Sequence, residues 1–501
     1  MCESCENASA FSRRTLLQAG TLLSGTAFLG TSMTALQAGA MPQGTVAADG
    51  MPTREKRKTR MRVLFLYPPA DVVMEGKFED SWAQHQWFTY PGNQFNPQKN
   101  HELFKEKIAE FAAPLNMDVE FVEPAVYTTQ AVAEFTAKTN ADPPDALLIV
   151  NFWNTMSPWV FKMTQDIKLP IIVYHPVGSN HQLPPKNLME AEGVYYIHSV
   201  RNWSELNGAI RAANAKNVLA QSRLLRVTDA GAVSTQVDQN LGVEIVSIPA
   251  GEYNDLFDSI RADDAVVRDA TAFKAKALEV ITVEDRYFVE AFRAHKAVRG
   301  IMQRYGADAI TIKCLMLQHR KPCISFSLHN SGLIPCACED FPDSAMTMML
   351  GSLLFARGGF MHNPEFDINY NQYYGSHCTS ALQLHGPGQK EVPFKVRPFT
   401  HHLPPTPALD LQFEPGQRIF VTKYLPPQNK LVAYTGEMVG SVDMEVAGGC
   451  ASRFLMNVDK LEDVCDMYHG PHPILYYGDI DQAKWLKTFA KLYKMDWAGN
   501  C

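Results

Sequence analysis

The sequence lacks an excess of basic residues and has no internal repeat. Its 46 Lys and Arg residues are outnumbered by 53 Asp and Glu residues, which gives a formal net charge of −7. A protein that neutralises a run of phosphates needs clustered Lys and Arg, and this chain has such a cluster only in residues 54–62. Nucleic acid is therefore not an expected partner. With 46% hydrophobic and 20% charged residues, the composition is that of an ordinary folded protein, and the length of 501 residues predicts two to four domains, each with its own core.

No cysteine lies between Cys5 and Cys314, which excludes a lipid anchor attached to a cysteine after an N-terminal signal. Four of the ten cysteines are close together in the sequence, at positions 314, 323, 336 and 338. No two of them have the spacing of a zinc knuckle. We therefore interpret them as small buried apolar residues, with Cys336 and Cys338 on one face of a strand.

An arginine pair, Arg13 and Arg14, is followed by a long uncharged stretch rich in Leu, Ala, Gly, Ser and Thr. This pattern resembles a twin-arginine export signal, and residues 38–40 (AGA) are small enough for a signal peptidase. The alternative is an uncleaved transmembrane anchor, but the stretch is only moderately apolar. The sequence thus predicts a signal peptide at 1–40, a linker at 41–60, a periplasmic location and no stable membrane anchor after cleavage.

Apolar strands alternate with helical patterns in the next part of the chain. Buried parallel strands are typically continuous apolar runs, and such runs occur at 63–67, 146–150 and 170–174. Apolar residues at helical spacing occur at 101–115 and 157–167. This alternation predicts an α/β domain with a parallel sheet over residues 61–230. No Gly-x-Gly-x-x-Gly follows the first strand, so a dinucleotide site is not expected there.

A second α/β domain is predicted for residues 231–385. Its patterns are a strand at 243–248, helices within 264–305, and short apolar runs at 309–314 and 324–328. Glu339 then lies between a strand and a helix that is expected over 345–356. In open α/β sheets, ligands bind at the edge formed by the carboxyl ends of the strands. Glu339 is therefore at a position where a functional residue is expected.

The remaining residues, 386–501, predict a β-rich C-terminal domain. Short strand patterns separated by Pro and Gly turns occur at 394–399, 409–413, 418–425, 430–439 and 453–458. Almost no helical pattern occurs before Gln482. The predicted fold class is therefore α/β, with two parallel-sheet α/β domains followed by a β-rich C-terminal domain.

Four short motifs follow one another beyond residue 300. They are 309–314 (AITIKC), 332–340 (GLIPCACED), 376–379 (SHCT) and 470–479 (GPHPILYYGD). In this order they resemble the fucose/arabinose isomerase superfamily, and most closely its L-fucose isomerase-like members. The likeness covers the chain from about residue 230 to the C terminus, and the N-terminal domain matches only as a generic α/β domain. The likeness is carried by the order of the four motifs along the chain.

The resemblance implies an aldose–ketose isomerase in which a divalent metal, usually manganese, holds two oxygens of an open-chain sugar. Proton transfer between C1 and C2 through an enediol needs a carboxylate on each side and a cation for the developing oxyanion. Carried over to this chain, Glu339 corresponds to the first carboxylate ligand and acid/base, and His472 to the C-terminal ligand. His377 resembles a His that closes the site, and His469 competes with His472. A homo-oligomer is implied by analogy with the family.

This chain departs from the family pattern at the position of the second carboxylate. Fucose isomerases carry it just after the helix that follows the first Glu, where this chain reads 360–363 (FMHN). Asn363 offers a carbonyl oxygen to a metal or a sugar but cannot take up a proton at neutral pH. Asp367 is the preferred replacement as metal ligand and proton-transfer residue, with Glu365 second. His402 is a further candidate for contact with the substrate.

Three functions agree with these residues, and in each the expected partner is a small-molecule sugar. The first is an isomerase of a deoxy-sugar or pentose that depends on Mn²⁺ or another divalent metal. The second is a non-catalytic exported carbohydrate-binding relative that has lost the second catalytic carboxylate. Asn363 and the export signal favour it, because isomerases normally serve cytoplasmic catabolism. The third is another exported metalloenzyme that uses the same ligands for hydrolysis or epimerisation.

Overall fold

The structure of the protein is a computed structural model that describes residues 54–75, 77, 96–177, 185–399, 405–442, 450–460 and 465–501. The signal peptide predicted at 1–40, most of the linker and the candidate substrate residue His402 lie outside the described residues. No described helix combines the length and the apolar character that crossing a membrane requires. All eight described cysteines are free thiols, and six of them, including Cys314 and Cys338, are buried.

The first sheet is parallel and is connected by helices. Its strands are β1 (Arg60–Leu66), β2 (Asp118–Val126), β3 (Ala146–Asn151), β4 (Ile171–Pro176) and β5 (Val194–Ser199), in the order β2-β1-β3-β4-β5. The helices of this region are α1 (Ala70–Met74), α2 (Pro97–Ala112), α3 (Thr129–Ala141), α4 (Ser157–Asp166), α5 (Lys186–Glu190) and α6 (Trp203–Leu219). Every residue of β3 and β4 is buried, which explains their continuous apolar sequences.

The second sheet begins at Arg223, ahead of the predicted boundary at 231. Its strands are β6 (Arg223–Thr228), β7 (Ser234–Val237), β8 (Glu244–Pro249), β9 (Ala309–Ile312) and β10 (Cys336–Ala337), in the order β10-β9-β6-β8-β7. Only the edge strand β7 is antiparallel to its neighbour. The helices are α7 (Ala250–Ser259), α8 (Asp264–Lys274), α9 (Asp285–Tyr305), α10 (Cys323–Ser331) and α11 (Pro342–Phe355). The apolar run at 324–328 belongs to α10.

The third sheet is mainly antiparallel and has eight strands. The remaining strands in the described part of the chain are β11 (Phe360–Met361), β12 (Asn363–Asp367), β13 (Gln372–His377), β14 (Phe394–Pro398), β15 (Pro407–Leu411), β16 (Arg418–Leu425), β17 (Lys430–Ser441), β18 (Ser452–Val458), β19 (Ile474–Tyr477) and β20 (Asp496–Gly499). The order is β11-β19-β16-β17-β18-β13-β12, with β20 parallel to β17, while β14 and β15 pair separately. Helix α12 (Cys465–Tyr468) lies between β18 and β19, and helix α13 (Ile480–Leu492) lies between β19 and β20. The predicted fold class is confirmed.

Helix α11 packs against strands of both the second and the third sheet. Its buried side chains include Met346 and Leu350, which share one apolar core with Phe420 of β16 and Tyr476 of β19. Every residue from Ser344 to Gly351 is buried, as is expected of a helix that is covered on opposite sides. It therefore fixes the position of Glu339, which precedes it, relative to the antiparallel sheet.

Gly351 allows helix α11 to approach strand β19 closely. A Cβ atom at this position would overlap the phenol oxygen of Tyr476, which is itself fully buried. We expect Gly351→Ala to lower the free energy of unfolding by about 1–3 kcal/mol through overpacking, although helix propensity favours alanine. Gly251→Ala in α7, where a Cβ atom meets nothing within 4 Å, is the control and should stabilise. Urea unfolding measures both, and a more stable Gly351→Ala protein would contradict this packing.

Candidate metal centre

Glu339 lies at the carboxyl edge of the second sheet, in the turn that joins β10 to α11. Glu339 and Asp340 both have left-handed backbone conformations, with φ angles of 61° and 63°. Residues other than glycine rarely adopt this conformation unless the surrounding structure holds them in it. Arg226 Nε and Thr228 Oγ1 of β6 donate hydrogen bonds to the Asp340 carboxylate at 2.6 and 2.8 Å. These bonds fix the turn that presents the Glu339 side chain.

The antiparallel sheet brings His377 and His472 together from distant positions in the sequence. His377 is the last residue of β13, and His472 lies just before β19. These strands are not neighbours, but β11 and β12, at the two ends of the sheet, are separated in the chain only by His362. The sheet therefore curves until its ends nearly meet. The imidazole rings of His377 and His472 have centroids 5.4 Å apart and lie nearly perpendicular to each other.

Glu339, His377 and His472 form a group that could hold a metal ion. One ligand atom from each residue lies within 4.8 Å of the others. Glu339 Oε1 is 3.6 Å from His377 Nε2, and Glu339 Oε2 is 3.9 Å from His472 Nε2. The His377 side chain is 1% exposed, whereas the Glu339 side chain is 20% exposed. The structure thus brings three of the predicted ligand residues together and leaves one side of the group open to solvent.

Asn363 lies beside this group. Its Oδ1 atom is 2.5 Å from His472 Nε2, the ring nitrogen that also faces Glu339 Oε2. The other ring nitrogen of His472, Nδ1, is buried and has no hydrogen-bond partner among the residues that the structure describes. Asn363 Oδ1 is therefore a further donor atom beside the imidazole of His472. Manganese, iron and zinc all accept nitrogen and oxygen donors of these kinds, and the residues present fit a divalent metal.

The environment of His472 favours its neutral form. Burial, with a smaller effect from the ammonium group of Lys423, lowers the pKa of His472 to about 4. The imidazole is therefore uncharged at neutral pH, which is the form that binds metals. The Phe341 ring packs against it with centroids 4.4 Å apart. Ser344 Oγ donates to the His472 carbonyl oxygen at 2.8 Å, so both the ring and the backbone of His472 are held.

The structure does not bring Asp367 to the metal group, contrary to the sequence prediction. Asp367 is exposed at the far end of β12, where its Oδ1 accepts hydrogen bonds from two backbone N–H groups of the following turn at 3.2 and 3.3 Å. An extended strand advances about 3.3 Å per residue, so the distance along β12 separates Asp367 from Asn363 and from His472. Its carboxylate stabilises the turn before β13. Glu365, the second choice, is also exposed.

Two neighbours of the group, Lys423 and Phe341, belong to no motif that marks them in the sequence. Lys423 is a buried lysine within an otherwise largely apolar strand, β16, and this is the only signal that could have drawn attention to it. Phe341 has no such signal. His469, the competing ligand candidate, is exposed and lies outside the metal group.

No protein-family profile matches the chain, and no curated protein matches it either. The resemblance to fucose/arabinose isomerases therefore rests on the four motifs and stays a prediction. The metal group itself rests on the geometry of Glu339, His377 and His472.

Proposed function

We propose that the protein is a metal-dependent aldose–ketose isomerase that acts on an open-chain sugar. The observation that carries the proposal is the convergence of Glu339, His377 and His472 at the carboxyl edge of the second sheet. Open α/β sheets bind their ligands at this edge. The partly exposed carboxylate of Glu339 gives a small molecule access to the group.

Each residue has a role in the proposed reaction. A bound divalent cation, Mn²⁺ in this proposal, would polarise the sugar oxygens and stabilise negative charge on them. Glu339 takes the proton from C2 of the aldose and delivers it to C1, while the hydroxyl proton of O2 passes to O1 through water at the exposed side of the group, in place of the second carboxylate. His377 and His472 hold the ion, while the Asn363 carboxamide binds a sugar hydroxyl or the ion.

A second candidate function is a non-catalytic carbohydrate-binding protein. The observation that favours it is Asn363, which lies next to His472, where the family resemblance implies a second carboxylate. An amide cannot act as a base, and Asp367 lies too far along β12 to replace it. In this case the metal and the residues around it bind the sugar without converting it.

Export and self-association are further parts of what we propose. Arg13 and Arg14 support export by the twin-arginine route to the periplasm. A homo-oligomer follows from the family analogy alone. Neither affects the chemistry assigned to the metal group.

Metal analysis of the purified protein, followed by NMR spectra of the protein with a panel of aldoses, distinguishes the two candidates. We expect about one divalent ion per chain and the conversion of at least one aldose to its ketose. Protein treated with a chelator is the control and should be inactive. Sugar binding without conversion would support the second candidate. Protein that holds neither metal nor sugar would contradict both.

A further inference from the structure

Lys423 donates hydrogen bonds to the segment of chain that leads into His472. Lys423 lies in β16, and its side chain is fully buried. Its ammonium group donates to the main-chain carbonyl oxygens of Met467 at 2.8 Å, His469 at 2.5 Å and Pro471 at 3.5 Å. The three contacts of the ammonium group therefore all fall on one short segment, residues 467–471.

The pairing of the antiparallel sheet explains this contact. Thr422 of β16 pairs with Ile474 of β19, so Lys423 lies next to the residues that precede β19. Asp466, in the helix just before the segment, is paired with Lys430 instead. Within the described ranges no carboxylate forms an ion pair with Lys423, and its partners are backbone carbonyl oxygens.

A buried ammonium group without a carboxylate partner is costly, because the charge loses its hydration. The same loss of hydration lowers the pKa of Lys423 to about 8. An apolar side chain of similar length would fill the space beside residues 467–471 without this cost. It could not fix three carbonyl groups in one arrangement. The lysine therefore orients the backbone of this segment, which an apolar side chain packed at the same place could not do.

We propose that Lys423 is the positioning residue of the metal group, because it holds the 467–471 segment and thereby directs the His472 imidazole toward Glu339. The assignment rests on the metal-binding role proposed above. Ser344 contacts the carbonyl oxygen of His472, and Asn363 contacts its ring. Lys423 instead fixes the backbone of the residues that precede His472. Partners of this kind typically affect metal affinity by about 10- to 100-fold.

The experiment uses Cu²⁺ as the probe, because it binds nitrogen donors more strongly than the other divalent first-row metals do. Pulsed EPR counts the imidazoles bound to Cu²⁺, and titration gives the affinity. We expect two bound imidazoles in the wild type and one in Lys423→Met, as in His472→Ala. Lys423→Met should also bind Cu²⁺ about 10- to 100-fold more weakly, whereas Lys423→Arg should recover part of the affinity.

Lys430→Met is the matched control. It removes the ion pair with Asp466, next to the same segment, and should keep two bound imidazoles and wild-type affinity. Lys423→Met protein that keeps two imidazoles would overturn the proposal, whether its affinity falls or not. If Lys423→Met does not fold, Lys423→Gln replaces it, and failure of both to fold would show a structural role only. Fewer than two imidazoles in the wild type would instead refute the metal group itself.

Discussion

Glu339→Gln is expected to remove most of the bound divalent metal and all measurable aldose–ketose conversion. Gln preserves the size of the side chain but lacks the charge that attracts the cation and the base that moves the proton. Acid–base assistance contributes about 10²–10⁴-fold to a rate, so the loss of turnover would be large. His472→Ala should likewise lose most of the metal. Metal analysis after dialysis, with circular dichroism to verify the fold, measures these effects.

Glu365→Gln is the matched control for Glu339→Gln. Glu365 is exposed in β12 and lies outside the metal group, so the same chemical change should leave metal content and turnover as in the wild type. The fold should persist in every variant, because the large apolar cores are formed by other residues. Equal metal occupancy in the wild type, Glu339→Gln and His472→Ala would refute the assigned ligands.

Asn363→Asp is expected to raise turnover, because it adds a second carboxylate to the metal group. Asn363 Oδ1 lies 2.5 Å from His472 Nε2, and an Asp side chain in the same rotamer would place a carboxylate oxygen there. If the wild type is slow because residue 363 cannot carry a proton, the gain is about 10²–10⁴-fold. Initial rates of ketose formation at saturating Mn²⁺ give the ratio of variant to wild type.

Asp367→Asn accompanies this experiment as its control. The Asp367 carboxylate stabilises a turn at the far end of β12, so the variant should retain wild-type turnover. An Asn363→Asp protein that binds metal and sugar without any gain in rate would argue against a catalytic role for residue 363. A large loss of activity in Asp367→Asn would show that this residue acts in catalysis despite its position.

The central strands of the first sheet could be predicted from apolar runs alone. The runs at 63–67, 146–150 and 170–174 fall in β1, β3 and β4, with Tyr67 and Pro170 just beyond the ends of their strands. Both faces of these strands are covered, so nearly every position favours an apolar side chain. The run at 324–328 was less informative, because short apolar runs occur in buried helices as well as in strands.

The strands between Phe360 and His377 could not be predicted. Only Phe366 is buried among the five residues of β12, and β11 has two residues. Their place in the antiparallel sheet is decided by pairing with β19 and β18, which are distant in the sequence. The third sheet therefore starts before the predicted boundary at 386, although no local pattern indicates it.

The residues of the candidate site likewise differ in whether the sequence marks them. Glu339, His377 and His472 are marked by motifs, and the structure places all three in one group. Asp367 is a carboxylate near the expected place in the sequence, but the extension of β12 removes it from the group. Lys423 acts on backbone carbonyl oxygens, and no side-chain pattern in the sequence records such contacts.

The curvature of the antiparallel sheet has a consequence for the kinetics of folding. His377 and His472 meet only when the two ends of this sheet have come together, and Glu339 joins them only when the second sheet is also in place. An ion that needs all three ligands cannot guide the early steps of folding. Its coordination bonds would form after the slow pairing of distant strands, and they would have to break before the sheets separate. A metal held by these three residues would therefore slow unfolding without accelerating folding, and would give the completed structure kinetic stability.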